Sequence, residues 1–202
     1  MDRKNDRSQG RGEALKATTI VDLLNWRGQR QADLPAYIFL AEGEREEAKL
    51  TYGDLDRRVR SVAGWLQAMK MTRERALLVY PPGLDFVVAF FGCLSAGVIP
   101  VPVSPINPAH TERGLPQFEA IVRDAQPVLA LTTSQSLSKV DQWLSKTSIA
   151  SVMSWQTLDQ ISEDQSPEWR RPELDAQTLA YLQYTSGSTA AAKGVMVSHG
   201  NV

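Results

Sequence analysis

Apolar residues along this chain fall into two kinds of run, and their order predicts the architecture. Ile20, Leu23 and Leu24 in TTIVDLLNWRGQRQ recur at helical spacing behind Thr18 and Thr19, either of which can cap a short amphipathic helix. AYIFL and AKLTY flank the acidic stretch AEGEREE, the pattern of two strands joined by a solvated turn. From Asp54 to Met69 the apolar positions Leu55, Val59, Val62, Ala63, Leu66 and Met69 return once per helical turn, and Asp54 can cap the first turn. Beyond them short apolar runs alternate with longer amphipathic ones. RALLVY reads as a buried strand, LDFVVAFFGCLSAG as a largely buried helix and VIPVPV as a strand; TERGLPQFEAIVRDA reads as a helix, PVLALTT as a strand, SQSLSKVDQWLSK as a helix and SIASVM as a further strand. Continuous apolar strands separated by helices are the mark of a sheet covered on both faces. The predicted class is α/β, with a largely parallel sheet flanked by helices.

Composition narrows the functional classes. The chain has 202 residues, 43% of them hydrophobic and 22% charged, with a formal net charge of -1. That balance, with lysines and arginines scattered, gives no basic stripe for a nucleic-acid backbone or an anionic membrane. The longest apolar run, Phe86 to Val103, is broken by Gly92, Gly97, Pro100 and Pro102, which suits a helix followed by a strand and not a membrane span. Cys93, the single cysteine, excludes an internal disulfide and sits where a thiol behaves as a small buried hydrophobe. The N-terminal MDRKNDRSQGRGE has no apolar core, so residues 1–14 are expected to form a flexible charged tail and not a secretory signal. A cytoplasmic location follows as an expectation.

Several residues invite chemistry and have plainer readings. His110 and His199 stand far from each other and from Cys93, which gives no zinc-site spacing. His110 in SPINPAHTERG reads as a surface loop residue, and His199 in SHGN as one that bonds backbone groups at a strand end. Trp26, Trp65, Trp143, Trp155 and Trp169 share no spacing and read as packing residues.

The stretch that carries chemistry is YLQYTSGSTAAAKGVMVSHGN. TLAYLQY is strand-like and leads straight into TSGSTAAAKG; in an α/β sheet the loop at the carboxyl end of a strand is where ligands bind. Thr185, Ser186, Ser188 and Thr189 offer hydroxyl donors, Gly187 lets the backbone approach closely, and Lys193 carries a charge on a flexible stem. A polyphosphate fits that set. A Walker A loop does not fit, because Ala192 stands where its second glycine belongs and Gly194 where its magnesium-binding hydroxyl belongs. A hairpin loop with no ligand is the plain alternative for the composition alone.

YTSGSTAAAKGVMVSHGN resembles the phosphate-binding signature of the adenylate-forming enzymes, the superfamily of acyl-CoA synthetases, peptide-synthetase adenylation domains and luciferases. LTYGDLDRRVRSVAGWL and RALLVYPPGLDFVVAFFGCLSAGVIPVPVSPINP resemble further blocks, and YPPGLDFVVAFFGCLSAGVIPVPV, LPQFEAIVRDAQPVLALTT and LQYTSGST are most similar to the fatty acyl-AMP ligases. The resemblance covers about residues 15 to 202. It implies a chain that activates a fatty acid with ATP and Mg2+, giving acyl-AMP and pyrophosphate, and hands the acyl group to an acyl carrier protein. Thr185, Ser186, Gly187, Ser188, Thr189, Lys193 and Gly194 would contact the phosphates, and the metal would ride on them. The chain departs from the family at Ala190, Ala191 and Ala192, where most members have a glycine, a variable residue and a proline.

The resemblance also implies that residues 15–202 are an incomplete N-terminal AMP-binding domain. The motifs for adenine, ribose, metal and carboxylate, and a lysine on a mobile C-terminal domain, would lie beyond Val202, so the 202 residues alone are expected to be inactive. A different class remains as the alternative: a non-catalytic nucleotide-binding or docking module. Within the enzyme class, an acyl-CoA ligase or an amino-acid adenylation domain also remains.

Overall fold

Two threonines start the first two helices of the chain, whose computed structural model describes residues 17–106, 111–144, 149, 152–161, 167–185 and 192–202. Helix α1 (Ile20–Arg30) opens with a capping box: the Thr19 hydroxyl oxygen accepts from the Asp22 N–H at 3.1 Å, and the Asp22 carboxylate accepts from the Thr19 N–H at 3.1 Å. Helix α2 (Tyr52–Ala68) repeats the device with Thr51 and Asp54, at 3.1 and 3.3 Å. The sequence pattern assigned the cap to Asp54. The cap is Thr51, one turn earlier, and Asp54 is the reciprocal carboxylate. Between the helices, β1 (Pro35–Ala41) and β2 (Arg45–Thr51) pair antiparallel. Their turn is shorter than the acidic run, because Glu42 and Gly43, at φ 53° and 81°, reverse the chain at once and leave Glu46 and Glu47 on the strand.

The central sheet has the order β4-β3-β5-β6, all parallel, from β3 (Arg75–Val79), β4 (Ile99–Val103), β5 (Leu129–Thr132) and β6 (Ser154–Thr157). Helices α3 (Leu84–Ala96), α4 (Thr111–Ala125) and α5 (Ser134–Leu144) make the crossovers. The chain steps from β3 to one side and then back past it to the other, so right-handed crossovers put α3 on one face and α4 and α5 on the opposite one. Burial follows that division. Ala76 and Leu78 of β3 join the core of α2 and α3, whereas Leu77 and Val79 join Phe118, Ile121 and Val122 of α4. Cys93 of α3 lies fully buried in the first of these cores, and burial pushes its thiol well above the ordinary range. The α/β expectation is borne out.

SIASVM was expected as a strand, yet β6 begins one residue after it. Ile149 and Met153 are buried in the α4 core, but the Val152 N–H donates to the Ile149 carbonyl at 3.0 Å, a bond between residues three apart that makes this stretch a turn and not a strand. Trp65 and Trp169 pack on the α2–α3 core and Trp155 on the other, as packing residues should, and Trp169 also donates to the Ser95 carbonyl at 2.7 Å. Residues 1–14, His110 and the side chain of Trp143 lie outside the described residues.

The β4 edge of the sheet positions the candidate loop. Ile99 donates its N–H to the Glu74 carbonyl at 2.8 Å, so Ile99, Val101 and Val103 face β3 and the alternate Pro100 and Pro102 face outward without an N–H. Strand β7 (Leu179–Tyr184) runs beside that edge, and no β4–β7 ladder forms among the described residues. It pairs antiparallel with β8 (Gly194–Ser198). The β7–β8 hairpin is thus a separate ribbon laid against a proline edge.

The contact of α2 with α3 is close enough to test. A Cβ on Gly92 would sit 2.4 Å from Val62 Cγ1. Gly92→Ala is expected to destabilise the chain by about 1–3 kcal/mol in urea denaturation, and Val62→Ala in the same chain to recover part of that loss. Equal midpoints for Gly92→Ala and the parent would show that the helices can move apart freely.

Candidate phosphate-binding site

The candidate loop is closed by a cross-strand pair. Tyr184 ends β7 and stands opposite Gly194, the first residue of β8, so Thr185 and Lys193 emerge side by side from one end of the ribbon. Both are exposed. Lys193 makes no ion pair with any described residue, which leaves its ammonium available to an anion. Ser186, Gly187, Ser188 and Thr189, with Ala190 and Ala191, lie outside the described residues. Ala192 is half-buried and packs on the α4 core, so the alanine at the usual proline position has an apolar contact of its own.

Gly194 has a steric reason to be glycine. A Cβ there would meet the Tyr184 ring at 2.9 Å from Cζ and 3.0 Å from the hydroxyl oxygen. The hydroxyl end of the ring therefore lies against the bare backbone of its cross-strand partner. From there the Tyr184 hydroxyl donates to Asp124 Oδ2 in the last turn of α4. Burial, then that hydrogen bond and the carboxylate charge, push the phenol well above its ordinary range. Neither residue stood out in the sequence. Tyr184 sat in the motif as one strand residue among several, and Asp124 is an ordinary charge on a helix.

A cleft of about 700 Å3 opens beside the ribbon, outside the carboxyl ends of β3 and β4. Pro82, Phe86, Pro105 and Phe118 give it apolar walls, and Gln183 and Tyr184 line the side next to the loop. Its position agrees with the rule that α/β sheets bind ligands at the carboxyl ends of their strands. Tyr80 borders it, with a hydroxyl that is itself enclosed and finds no partner among the described residues; burial pushes that phenol up as well. Thr132 braces the sheet here, its hydroxyl donating to the Val79 carbonyl at 2.7 Å across the ends of β5 and β3.

His199 follows β8. Its main-chain N–H donates to the Thr178 carbonyl at 3.0 Å, extending the ribbon by one bond, and the next turn is held by Asn201 Oδ1, which accepts from the Ser198 N–H and hydroxyl at 3.2 and 2.9 Å. The bond to backbone expected of His199 thus runs through its main chain. Its ring is 4% exposed, and Nδ1 finds no partner among the described residues. Burial lowers the imidazole below its ordinary range, and the charges of Asp22 and Asp175 offset part of that shift. Among the described residues no group of three histidines, cysteines or carboxylates can hold a metal ion, and no helix is long and apolar enough to cross a membrane.

The family described as AMP-binding enzyme matches residues 24–202. The chain is similar to the medium-chain-fatty-acid acyl-carrier-protein ligase JamA of Moorena producens, 43% identical over 186 residues that cover 92% of this chain and 31% of that protein. It is also similar to the long-chain-fatty-acid AMP ligase FadD32 of Mycobacterium marinum, 32% identical over 189 residues, with coverage of 92% and 29%. Among solved structures, the fatty acyl-adenylate ligase from L. pneumophila in complex with acyl adenylate and pyrophosphate superposes with a TM-score of 0.79 at 34% identity, covering 92% of this chain and 31% of that one. The chain thus spans about a third of the length of these relatives.

The buried imidazole gives the chain a pH dependence of defined sign. The unfolded chain binds a proton on His199 below about pH 6.5, whereas the folded chain resists it until a lower pH, so stability rises with pH through that window and falls on acidification. The carboxylates of Asp22, Asp54 and Asp175, lowered in the folded state, act only at pH values below about 4. Unfolding midpoints are therefore expected to fall between about pH 7.5 and about pH 5.5, and His199→Gln to flatten that fall. An unchanged slope in the variant would show that the ring is protonated freely in the fold.

Proposed function

The chain belongs to the AMP-binding enzyme family, and on that premise we propose that it is the N-terminal, phosphate-handling part of a longer fatty acyl-AMP ligase. In the reaction, the carboxylate of a fatty acid attacks the α-phosphorus of ATP, an acyl phosphate bond forms, and pyrophosphate leaves. The acyl group then passes to an acyl carrier protein. The observation that carries the reading is the ribbon end, where Lys193, exposed and without an ion pair among the described residues, emerges beside Thr185 next to the cleft. The fatty acid and the carrier protein are supported by the activities for which the relatives are named.

The proposed role of the loop is electrostatic. Charge builds on the leaving pyrophosphate, and donors fixed in advance around it lower the barrier without reorganising. Lys193 supplies the positive charge. The hydroxyls of Thr185, Ser186, Ser188 and Thr189 and the backbone at Gly187 and Gly194 supply hydrogen bonds. Mg2+ is carried by the phosphates. On this reading residues 15–202 are the first part of the AMP-binding domain, and the protein works in the cytoplasm.

Two measurements test this in the longer protein. Lys193→Ala is expected to slow single-turnover acyl-AMP formation by about a hundredfold, of the order of removing one donor from a transition-state site, while fatty-acid affinity holds. An unchanged adenylation rate would remove the lysine from the reaction. Thr185→Ala or Ser188→Ala is expected to cost on the order of 1 kcal/mol each, since each is one donor among several.

A further inference from the structure

We propose that Tyr184 is a positioning residue for the phosphate loop, its ring seated on Gly194 and its hydroxyl anchored on Asp124, so that the loop's two ends are fixed to α4. The inference deepens the reading of this loop as a phosphate site and rests on it for its catalytic consequence.

Val195 and Met196 are 51% and 74% exposed, and β8 has no ladder partner but β7 among the described residues. Within that strand little fixes where Lys193 begins, and on its other side, among the described residues, only Ala192, packed on the α4 core, adds a small apolar contact. The Tyr184–Gly194 pair is the last rung before the loop, and each of its members is the chain neighbour of a proposed phosphate contact, Thr185 on one side and Lys193 on the other. A rung alone can fray, as ribbon ends do. Here the Tyr184 side chain crosses it and binds a carboxylate on a helix whose Phe118, Ile121 and Val122 are buried against the sheet. The anchor is thus a charge-assisted hydrogen bond to the main core, stronger and more directional than one between neutral groups.

Gly194 completes the device. The structure records no positive φ for it, so the glycine is demanded by space and not by backbone conformation. A methyl group at that position would press on Cζ and the hydroxyl together. The ring is rigid, so relief must come by swinging it away, which draws the hydroxyl off Asp124. Gly194 is therefore placed in the motif by the tyrosine as much as by the phosphate.

The test has two arms. In the 202-residue chain, hydrogen exchange at the amides of residues 194–196 reads the ribbon end directly. Tyr184→Phe and Asp124→Ala are each expected to speed it about tenfold, the double variant no more than either single, and Asp124→Asn, which keeps an acceptor, to recover part of the protection. Exchange that does not change, or losses that add, would overturn the anchor. In the longer protein, ATP–pyrophosphate exchange reads the consequence: the same variants should raise KM for ATP or lower kcat by about tenfold and leave KM for the fatty acid unmoved, with Gly194→Ala worse than Tyr184→Phe. Equal changes in both KM values would reduce Tyr184 to a general stabilising residue and overturn the positioning role. A parent protein without ATP–pyrophosphate exchange, alongside the expected amide response, would sink the ligase reading and leave the anchor standing.

Discussion

Burial of β3 from both sides is the constraint on which the rest of the molecule depends. Ala76, Leu77, Leu78 and Val79 are all fully buried, and they point alternately into two different cores. A strand placed so needs a hydrogen-bonding neighbour on each edge and helices on each face, because its backbone groups are cut off from water and its apolar side chains would otherwise be exposed to it. Each buried leucine contributes roughly 1.5–3 kcal/mol, so the arrangement is not easily traded for another. Once β3 is fixed, α3 and α4 must lie on opposite faces. Residues 80–82 and 102–106, which leave β3 and β4, then meet at one end of the sheet, where the cleft lies.

The site uses what the sheet leaves over. β4 shows two prolines to its outer side, and an edge that cannot donate hydrogen bonds invites a neighbouring ribbon without absorbing it into the sheet. The β7–β8 ribbon therefore stays outside the central sheet, its side chains gripping the core individually. Ala180 reaches the residues Val21 and Leu94 on one side, while Leu182 and Tyr184 reach the α4 core on the other.

Much of this could be read from the residues, and the failures have physical causes. The strand and helix runs from Arg75 to Leu144 declared themselves because continuous apolar strands and one-faced helices obey different periods. The α2 cap was misread because Thr51 and Asp54 serve each other, and either looks sufficient alone. SIASVM misled because two buried residues four apart can belong to a turn as well as to a strand. In the loop, the hydroxyl of Thr185 and the charge of Lys193 were visible in the sequence, and the ribbon sets the two side by side. The partnership of Tyr184 with Asp124 was not, since it joins residues 60 positions apart and leaves no local pattern.

Cys93 adds a consequence of a different kind. Its sulfur is enclosed between α3 and the core of α2, and its thiol holds its proton far above neutral pH. A thiol reagent in solution therefore meets no nucleophile while the fold is closed. Thiol labelling of this chain must count the moments when α2 and α3 part, which makes its one thiol an internal clock for the opening of that half of the molecule.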